Sequence, residues 1–220
     1  MIIAIDGPAA SGKSTTAKKV AEKLNYTHLD TGAMYRAVTL FFLDNQTVLS
    51  DPNQIQHSVD LIRLKFLQDQ TLIMNDIDVS AEIRTGKVTD YVSEVSALKQ
   101  VREKMVHLQR EIAKFQDVVV EGRDIGTHVF PKAKFKFFII ADVEKRAQRR
   151  FNEMKNKIGD INFKDVLLDL KERDKKDASR KISPLKKAKD AIVIDTTSLT
   201  IDEQVDKIID IVNNKIHNRS

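Results

Sequence analysis

The chain has 220 residues, of which 41% are hydrophobic and 31% are charged, with 7 glycines, 4 prolines and no cysteine. This length suits one sizeable domain with an insertion, and the composition predicts a globular, helix-rich protein and excludes fibrous and disordered classes. Disulfides, thiolate zinc sites and cysteine nucleophiles are excluded. The sequence shows neither a targeting segment nor an apolar run of membrane-spanning length, so we expect a cytoplasmic protein.

The net charge of +5 is concentrated in one stretch of the chain. Residues 171–190 hold nine Lys or Arg and four Asp or Glu, so the other 200 residues sum to zero. Such a stretch can bind nucleic acid, anionic lipid or a phosphorylated small molecule, or it can be a solvated helix face. Charge alone does not choose among these.

A predicted buried strand, Ile2–Ile5, leads directly into a phosphate-binding motif. Residues 7–15 satisfy the pattern G-x-x-x-x-G-K-[ST] in full, and the alternative, a chance glycine-containing turn, is disfavoured by the strand before and the amphipathic helix after. Glycines let backbone N–H groups converge on phosphate oxygens, Lys13 reaches the β- and γ-phosphates, and Ser14 offers a hydroxyl to the Mg²⁺ that accompanies ATP. The predicted nucleotide-binding residues are Gly7, Pro8, Ala9, Ala10, Ser11, Gly12, Lys13, Ser14 and Thr15.

A weaker predicted strand, Thr27–Leu29, precedes the segment Asp-Thr-Gly-Ala-Met-Tyr-Arg at 30–36. Within residues 60–80, apolar and charged side chains alternate at 62–66, and two short apolar segments, 72–74 and 77–79, lie on either side of Asn75-Asp76. This pattern predicts a small antiparallel meander. Because this meander interrupts an otherwise alternating strand–helix pattern, we predict an inserted subdomain at 40–100 and a helix that returns from it.

The second half of the chain supplies the remaining predicted strands, which are Val118–Val120, Phe135–Ala141 and Ala191–Ile194. Strands that alternate with helices predict a parallel α/β sheet. The segment Glu-Gly-Arg-Asp-Ile-Gly-Thr at 121–127 follows one of these strands. Since the carboxyl ends of parallel strands line the ligand crevice, we expect Arg36, Arg123 and Asp124 to face the phosphate loop.

Two helical segments carry charged side chains in informative positions. From Phe163 onward an apolar stripe predicts a core-facing helix; at helical spacing Asp177 falls within that stripe, with Arg173 and Arg180 at its edge. Charged side chains on the core-facing side of this helix predict a polar pocket, and the alternative is an internal ion-pair cluster.

An earlier helix, which follows the fourth strand, places Arg146, Arg149 and Arg150 on one face. The alternative interpretation of these arginines is a solvated charged face. The sequence shows no obvious His–carboxylate pair.

With these segments the chain resembles the nucleoside monophosphate kinases, and closely the bacterial cytidylate kinases. The segments that match are the phosphate loop, residues 30–36, residues 122–127, Lys-Glu-Arg-Asp at 171–174 and Ser-Pro-Leu at 183–185. The resemblance covers essentially the whole chain. It implies an α/β fold of the P-loop NTPase type: a parallel five-stranded sheet flanked by helices, an inserted monophosphate-binding subdomain containing a small antiparallel sheet, and a short lid. The implied boundaries are 1–39, 101–144 and 160–220 for the core, 40–100 for the insertion and 145–159 for the lid.

The resemblance also implies roles for individual residues. Arg36 and Arg123 match positions that hold the acceptor's phosphate, and Tyr35 belongs to the same substrate-binding motif as Arg36. The positions around the pyrimidine base are matched by Thr31, Arg102, Asp124 and Arg180. Those at the sugar are matched by Ser93, Arg173 and Asp177. The catalytic positions are matched by Lys13, Arg146, Arg149 and Arg150. Some relatives carry Ser where this chain has Thr31, and Arg102 has the alternative interpretation of a surface arginine.

The implied activity is transfer of the γ-phosphoryl group of ATP to CMP or dCMP, giving CDP or dCDP in pyrimidine nucleotide metabolism with Mg²⁺ as cofactor. We expect a monomer that binds neither nucleic acid nor membrane. One alternative is a P-loop kinase for another small acceptor, such as UMP or another nucleoside monophosphate. A nucleic-acid-dependent P-loop ATPase is disfavoured because residues 171–190 contain no aromatic side chain for base stacking.

Overall fold

The computed structural model describes residues 1–67, 69–158 and 161–217, with the backbone alone at 156–158 and 216–217. The helices and strands, in chain order, are β1 (Ile2–Asp6), α1 (Lys13–Leu24), β2 (Thr27–Asp30), α2 (Thr31–Asp44), α3 (Pro52–Leu61), β3 (Leu64–Phe66), β4 (Leu72–Met74), β5 (Ile77–Asp78), α4 (Gly86–Val95), α5 (Lys99–Ile112), β6 (Val118–Gly122), β7 (Phe135–Ile140), α6 (Val143–Ile158), α7 (Phe163–Ala178), β8 (Ile192–Asp195) and α8 (Ile201–His217). A short 3₁₀ turn spans Glu82–Arg84, and a π-helical turn spans Ile125–Val129.

The chain divides into two compact units, one made of residues 1–29 and 116–220 and the other of residues 30–115. The second unit contains the predicted insertion, 40–100, together with helices on either side of it. The predicted insertion and lid boundaries stay predictions. Residue 159 of the predicted lid and residues 68, 160 and 218–220 of the other segments lie outside the described residues.

The first unit is built on a five-stranded sheet in the order β2-β6-β1-β7-β8. The parallel registers pair Ile3 with Val119 and with Phe135, so β1 lies at the centre of the sheet. Because β1, β6 and β7 are covered on both faces, their sequences are near-continuous apolar runs, which is why the sequence pattern predicted these strands. The predicted parallel five-stranded α/β fold is confirmed.

The core of the first unit lies between this sheet and two helices. Val20 of α1 and Val205, Ile208 and Val212 of α8 are fully buried against the sheet side chains, including Phe137. Thr200 and Glu203 form a capping box at the start of α8, with Thr200 N–H donating to Glu203 Oε2 at 2.8 Å. Packing of α1 against α8 fixes the helix that follows the phosphate loop.

The second unit packs helices around a small antiparallel sheet. Its three strands run in the order β3-β4-β5, with Leu64 opposite Met74 and Met74 opposite Ile77, as the meander pattern predicted. Leu72 and Met74 bury their side chains against Ala33 and Ala37 of α2. The sheet therefore supports the helix that carries Tyr35 and Arg36.

One predicted element ends earlier than expected. The charged helix α7 stops at Ala178, with Ser179 as its carboxyl-terminal cap, so Arg180 lies just beyond the helix and not on it. None of the helices that the structure describes combines the length and the apolar character needed to cross a lipid bilayer.

Candidate active site

The phosphate loop adopts the conformation that its glycines permit. A Cβ on Gly7 would collide with the carbonyl oxygen of Ile139 on the neighbouring strand β7, so this position accepts glycine alone. Gly12 has a φ of +88°, in the left-handed region that favours glycine, and it immediately precedes α1. The first N–H groups of α1 have no intrahelical acceptor, and its first turn carries no acidic side chain. The loop is therefore suited to an anion.

Lys13 is buried at the start of α1, with its Nζ donating to the carbonyl oxygen of Pro8 at 3.4 Å. Its neighbour Ser14 donates a hydrogen bond from Oγ to Glu121 Oε2 at 2.6 Å. Both predicted nucleotide-contacting side chains thus lie at the same end of the sheet. Their roles toward ATP and Mg²⁺ stay predictions.

Glu121 is a site residue that the sequence analysis missed. It stands near the carboxyl end of β6, is 2% exposed, and also contacts His28 of the adjacent strand, whose Nε2 lies 3.3 Å from Glu121 Oε1. Burial raises the pKa of Glu121, but the His28 hydrogen bond and the nearby charge of Lys13 outweigh burial and hold the pKa below its usual range. An acidic residue after an apolar strand in a P-loop protein was the available signal. The expectation of no His–carboxylate pair is wrong.

The donor set fits a magnesium ion that arrives with a nucleotide. Mg²⁺ prefers oxygen ligands and is held in such sites by one or two protein groups together with phosphates. Ser14 and Glu121 supply a hydroxyl and a carboxylate in contact with each other. Within the described ranges, no three His, Cys, Asp or Glu side chains gather into a self-sufficient metal site.

Asp6 holds the loop that carries Arg123 and Asp124. Its two carboxylate oxygens accept hydrogen bonds from the backbone N–H groups of Ile125 and Gly126, each at 2.8 Å. Burial, reinforced by the negative charge of Asp124, raises the pKa of Asp6 to about 6 against the opposing effect of these two bonds. No sequence motif predicts this contact, because it depends on β1 and β6 being neighbours.

The predicted inward charges of α7 form a buried ion-pair cluster. Asp177 is 2% exposed and accepts from Arg123 Nε at 2.8 Å and from Arg180 at 2.6 Å. Although burial raises the pKa of Asp177, the charges of Arg123 and Arg180 outweigh it, so this pKa lies below its ordinary value. The positive field of Arg173 acts in the same direction. The structure thus brings together four of the predicted substrate-binding residues.

The three arginines of α6 differ from one another in their surroundings. Arg146 is buried, donates to the carbonyl oxygen of Ala9 at 3.2 Å and pairs with Asp174 at 2.7 Å. Arg149 donates to the carbonyl oxygens of Ser11 and of Thr196, at 3.4 and 2.6 Å.

Arg150, by contrast, lies 3.5 Å from Glu153 at the surface. Arg146 and Arg149 therefore contact the phosphate loop directly. Arg150 instead lies on a solvated charged helix face, which was the alternative interpretation of these three arginines. A catalytic role for each of the three stays a prediction.

In the second unit, Asp30 caps the amino-terminal end of α2, and its side chain accepts from the N–H of Ala33 at 2.9 Å. Thr31 and Tyr35 are buried on this helix. The Arg36 side chain extends back toward the start of the helix. Its guanidinium nitrogen Nη1 lies beside Gly32, 3.1 Å from where a Cβ on that glycine would be.

Arg102 on α5 places its guanidinium over the Tyr35 ring, 5.4 Å from the ring centroid, and is 3% exposed. Its side chain also donates to the carbonyl oxygen of Ser96 at 3.5 Å, and Ser96 Oγ in turn donates to the carbonyl oxygen of Ser93. The alternative of a surface arginine is wrong. Tyr35, Ser93 and Arg102 thus belong to one connected group, and their binding roles stay predictions.

Comparison with known proteins agrees with the resemblance seen in the sequence. A family model described as cytidylate kinase matches residues 3–214. A cytidylate kinase of Lactobacillus gasseri is 52% identical over 99% of this chain and 96% of its own length, and one of Fusobacterium nucleatum is 49% identical over 94% and 95%. Among solved structures, a shikimate kinase from Bacteroides thetaiotaomicron shares the fold with a TM-score of 0.50 over 97% of this chain and 98% of its own, at 13% identity. The chain belongs to the cytidylate kinase family.

Proposed function

We propose that this protein transfers the γ-phosphoryl group of ATP to CMP or dCMP, giving ADP and CDP or dCDP. The observation that carries the proposal is the match of the cytidylate kinase model to residues 3–214, on a chain whose phosphate loop is complete and whose Arg123–Asp177–Arg180 cluster is buried. It is a nucleoside monophosphate kinase of pyrimidine metabolism, and the likeness to shikimate kinase extends to the fold alone. No observation favours UMP or another acceptor.

In the first unit, the phosphate loop binds the triphosphate through its backbone N–H groups, and the Lys13 ammonium lies against it. Ser14 and Glu121 are the residues that would hold Mg²⁺, which when bound offsets negative charge on the phosphates. Arg146 and Arg149 stabilise the charge that spreads over the transferred group, since both already contact carbonyl oxygens of the loop. Arg150 is proposed to join them during turnover.

The acceptor's phosphate needs no general base. Its attacking oxygen is already anionic at neutral pH, so the protein's task is to position it and to balance its charge. Arg123 suits this task because a planar guanidinium donates two parallel hydrogen bonds to a phosphate, and Asp177 fixes the orientation of that guanidinium through Nε. Asp177 and Arg173 are proposed to bind the sugar, and Asp124 and Arg180 the base.

The second unit contributes its own substrate residues. Arg36 is proposed to donate to the phosphate of CMP. Thr31 and Arg102 are proposed to contact the base and Ser93 the sugar, and Tyr35 supports the Arg102 guanidinium through its ring face. The expected monomer and the cytoplasmic location remain proposals as well.

The experiment that tests this function measures ADP release with a panel of acceptors. CMP, dCMP, UMP, AMP, GMP and shikimate are compared at equal concentrations with Mg²⁺ and ATP. We expect kcat/KM to be greatest for CMP and dCMP. A higher value for any other acceptor in the panel would overturn the proposed substrate, and ADP release that is independent of every acceptor would overturn the kinase activity itself.

A further inference from the structure

The carboxylate of Glu121 is held from two sides. Ser14 Oγ donates to Oε2 at 2.6 Å, and His28 Nε2 lies 3.3 Å from Oε1. Each carboxylate oxygen thus has a different partner, and the two partners come from different elements, α1 and β2. Glu121 is 2% exposed and the His28 side chain 10%, so water has little access to the pair.

The hydrogen between His28 and Glu121 can be assigned from chemistry. A glutamate side chain is ordinarily ionised near neutral pH, so each of its carboxylate oxygens can only accept a hydrogen bond. His28 Nε2 must therefore carry the hydrogen, which it does in the Nε2–H tautomer as well as in the imidazolium form. His28 consequently acts as a donor in either charge state.

This donor limits how the carboxylate can turn. A carboxylate with one partner can rotate about its terminal bond, whereas one held at both oxygens cannot rotate without breaking a hydrogen bond. With His28 on Oε1, Oε2 stays directed at the Ser14 hydroxyl, and the Ser14 hydrogen is committed to Glu121. The lone pairs of Ser14 Oγ are then left for a cation.

We propose that His28 is a positioning residue for the magnesium site, acting through Glu121 on Ser14. This inference rests on the proposed nucleotide site and adds to it a residue that does not itself touch nucleotide or metal. A residue that hydrogen-bonds to a metal-ligating side chain and fixes its orientation typically contributes tenfold to a hundredfold to metal affinity. His28 lies on a buried strand and belongs to none of the phosphate-binding segments, so its contribution comes through this one contact.

The test separates metal-dependent from metal-independent nucleotide binding. ADP affinity is measured by calorimetry with Mg²⁺ present and with Mg²⁺ removed by EDTA, and the ratio of the two affinities is compared among variants. His28→Leu fills the strand position without a donor, and His28→Asn is too short to reach Glu121. His28→Gln places an amide N–H near the position of Nε2 and serves as the matched control.

We expect His28→Leu and His28→Asn to reduce the Mg²⁺-dependent ratio by at least about tenfold while metal-free ADP affinity stays unchanged, and His28→Gln to restore most of the ratio. In a Glu121→Gln background, His28→Leu should have no further effect on the ratio, because the path runs through Glu121. His28→Asn keeps the test valid should His28→Leu fold poorly.

Two results would overturn the inference, and they differ from failure of the proposed function. If His28→Leu and His28→Asn keep the wild-type ratio, or if all affinities fall equally with and without Mg²⁺, His28 does not position the metal site. If the wild-type protein binds no ADP with or without Mg²⁺, the proposed nucleotide site itself fails.

Discussion

Lys13 occupies the first position of α1, buried beside the phosphate loop and close enough to Glu121 to lower its pKa. A fixed ammonium in such a position stabilises the charge of the transferred phosphoryl group more than it stabilises bound ATP. Lys13→Ala should therefore lose about three orders of magnitude in kcat. Steady-state kinetics give kcat and circular dichroism checks the fold. A folded variant with turnover within tenfold of wild type would remove Lys13 from the mechanism.

Asp177 should matter for both ribo- and deoxyribonucleotide. Each of its oxygens accepts from an arginine, but a carboxylate oxygen has a second lone pair that can accept from a sugar hydroxyl. Contact with the 3′-hydroxyl, which both sugars carry, predicts that Asp177→Ala reduces kcat/KM for CMP and for dCMP by at least about tenfold. The loss exceeds that of one neutral hydrogen bond, about 1 kcal/mol, because Arg123 and Arg180 lose their buried partner.

Thermal unfolding provides the control for Asp177. If the cluster serves stability alone, Asp177→Ala should lower the melting temperature strongly while catalysis per folded molecule is preserved. That pattern would refute the sugar-binding role. A loss confined to CMP would instead place the hydrogen bond at the 2′-hydroxyl.

Asp6 predicts a pH dependence of stability with a definite sign. Its pKa is raised from 3.8 in the unfolded chain to about 6 in the folded protein, so the folded state binds the proton more tightly. The stabilisation is complete below pH 3.8 and is lost as pH rises through 6, a change of roughly 3 kcal/mol. Relative to Asp6→Asn, which does not titrate, the wild-type protein should lose unfolding free energy between pH 4 and pH 7. Denaturant titrations at several pH values measure this, and parallel curves would contradict it.

The site residues divide into those that a local pattern predicts and those that require the fold. Lys13 and Ser14 follow from an eight-residue motif, because the chemistry of phosphate binding is concentrated in one loop. Glu121 and His28 are 93 residues apart in the chain and meet because β2 and β6 are neighbours in the sheet. Asp6 holds Gly126 for the same kind of reason. Strand order, which these contacts need, is not encoded in any local spacing.

The conformation of the phosphate loop depends on the close approach of Gly7 to the backbone of Ile139 on strand β7. Gly7→Ala should force the loop away from the Ile139 carbonyl, since a backbone group cannot turn aside as a flexible side chain can. A displacement of about 1 Å at a site of phosphoryl transfer can cost about a hundredfold in rate. We therefore expect kcat/KM for ATP to fall by about this factor, measured at saturating CMP.

Gly86→Ala is the matched control for the loop variant. Gly86 begins α4, and a Cβ there would meet nothing within 4 Å. This substitution should leave kinetics unchanged and raise the unfolding free energy by about 0.4–1 kcal/mol, because alanine restricts the unfolded chain. Equal kinetic losses in the two variants would show that the Gly7 effect is not specific to the loop.

The elements themselves were predictable to different degrees. Strands covered on both faces are recognisable in the sequence as short apolar runs. The end of α7 at Ala178 was not visible, because Asp177 and Arg180 keep helical spacing in the sequence while the backbone leaves the helix between them. An ion pair three residues apart has the same spacing in the sequence whether both residues lie on the helix or one lies beyond its end, as Arg180 does.

The basic side chains of the positive stretch 171–190, which carries the net charge of the molecule, fall into two groups. Its lysines are all exposed, whereas Arg173 and Arg180 are partly buried around Asp177. The two arginines therefore belong to the ion-pair cluster around Asp177, and the lysines lie on the surface.

The reaction assigned to this protein transfers the γ-phosphoryl group from ATP to a cytidine monophosphate. Its most direct test follows ATP labelled at the γ-position, mixed with CMP and Mg²⁺, by chromatographic separation of products, with Lys13→Ala as the inactive control. We expect label to leave ATP and to appear in CDP in equal amount, and we expect Lys13→Ala to form almost no labelled CDP. Label found in inorganic phosphate and not in CDP, with or without added nucleic acid, would contradict it.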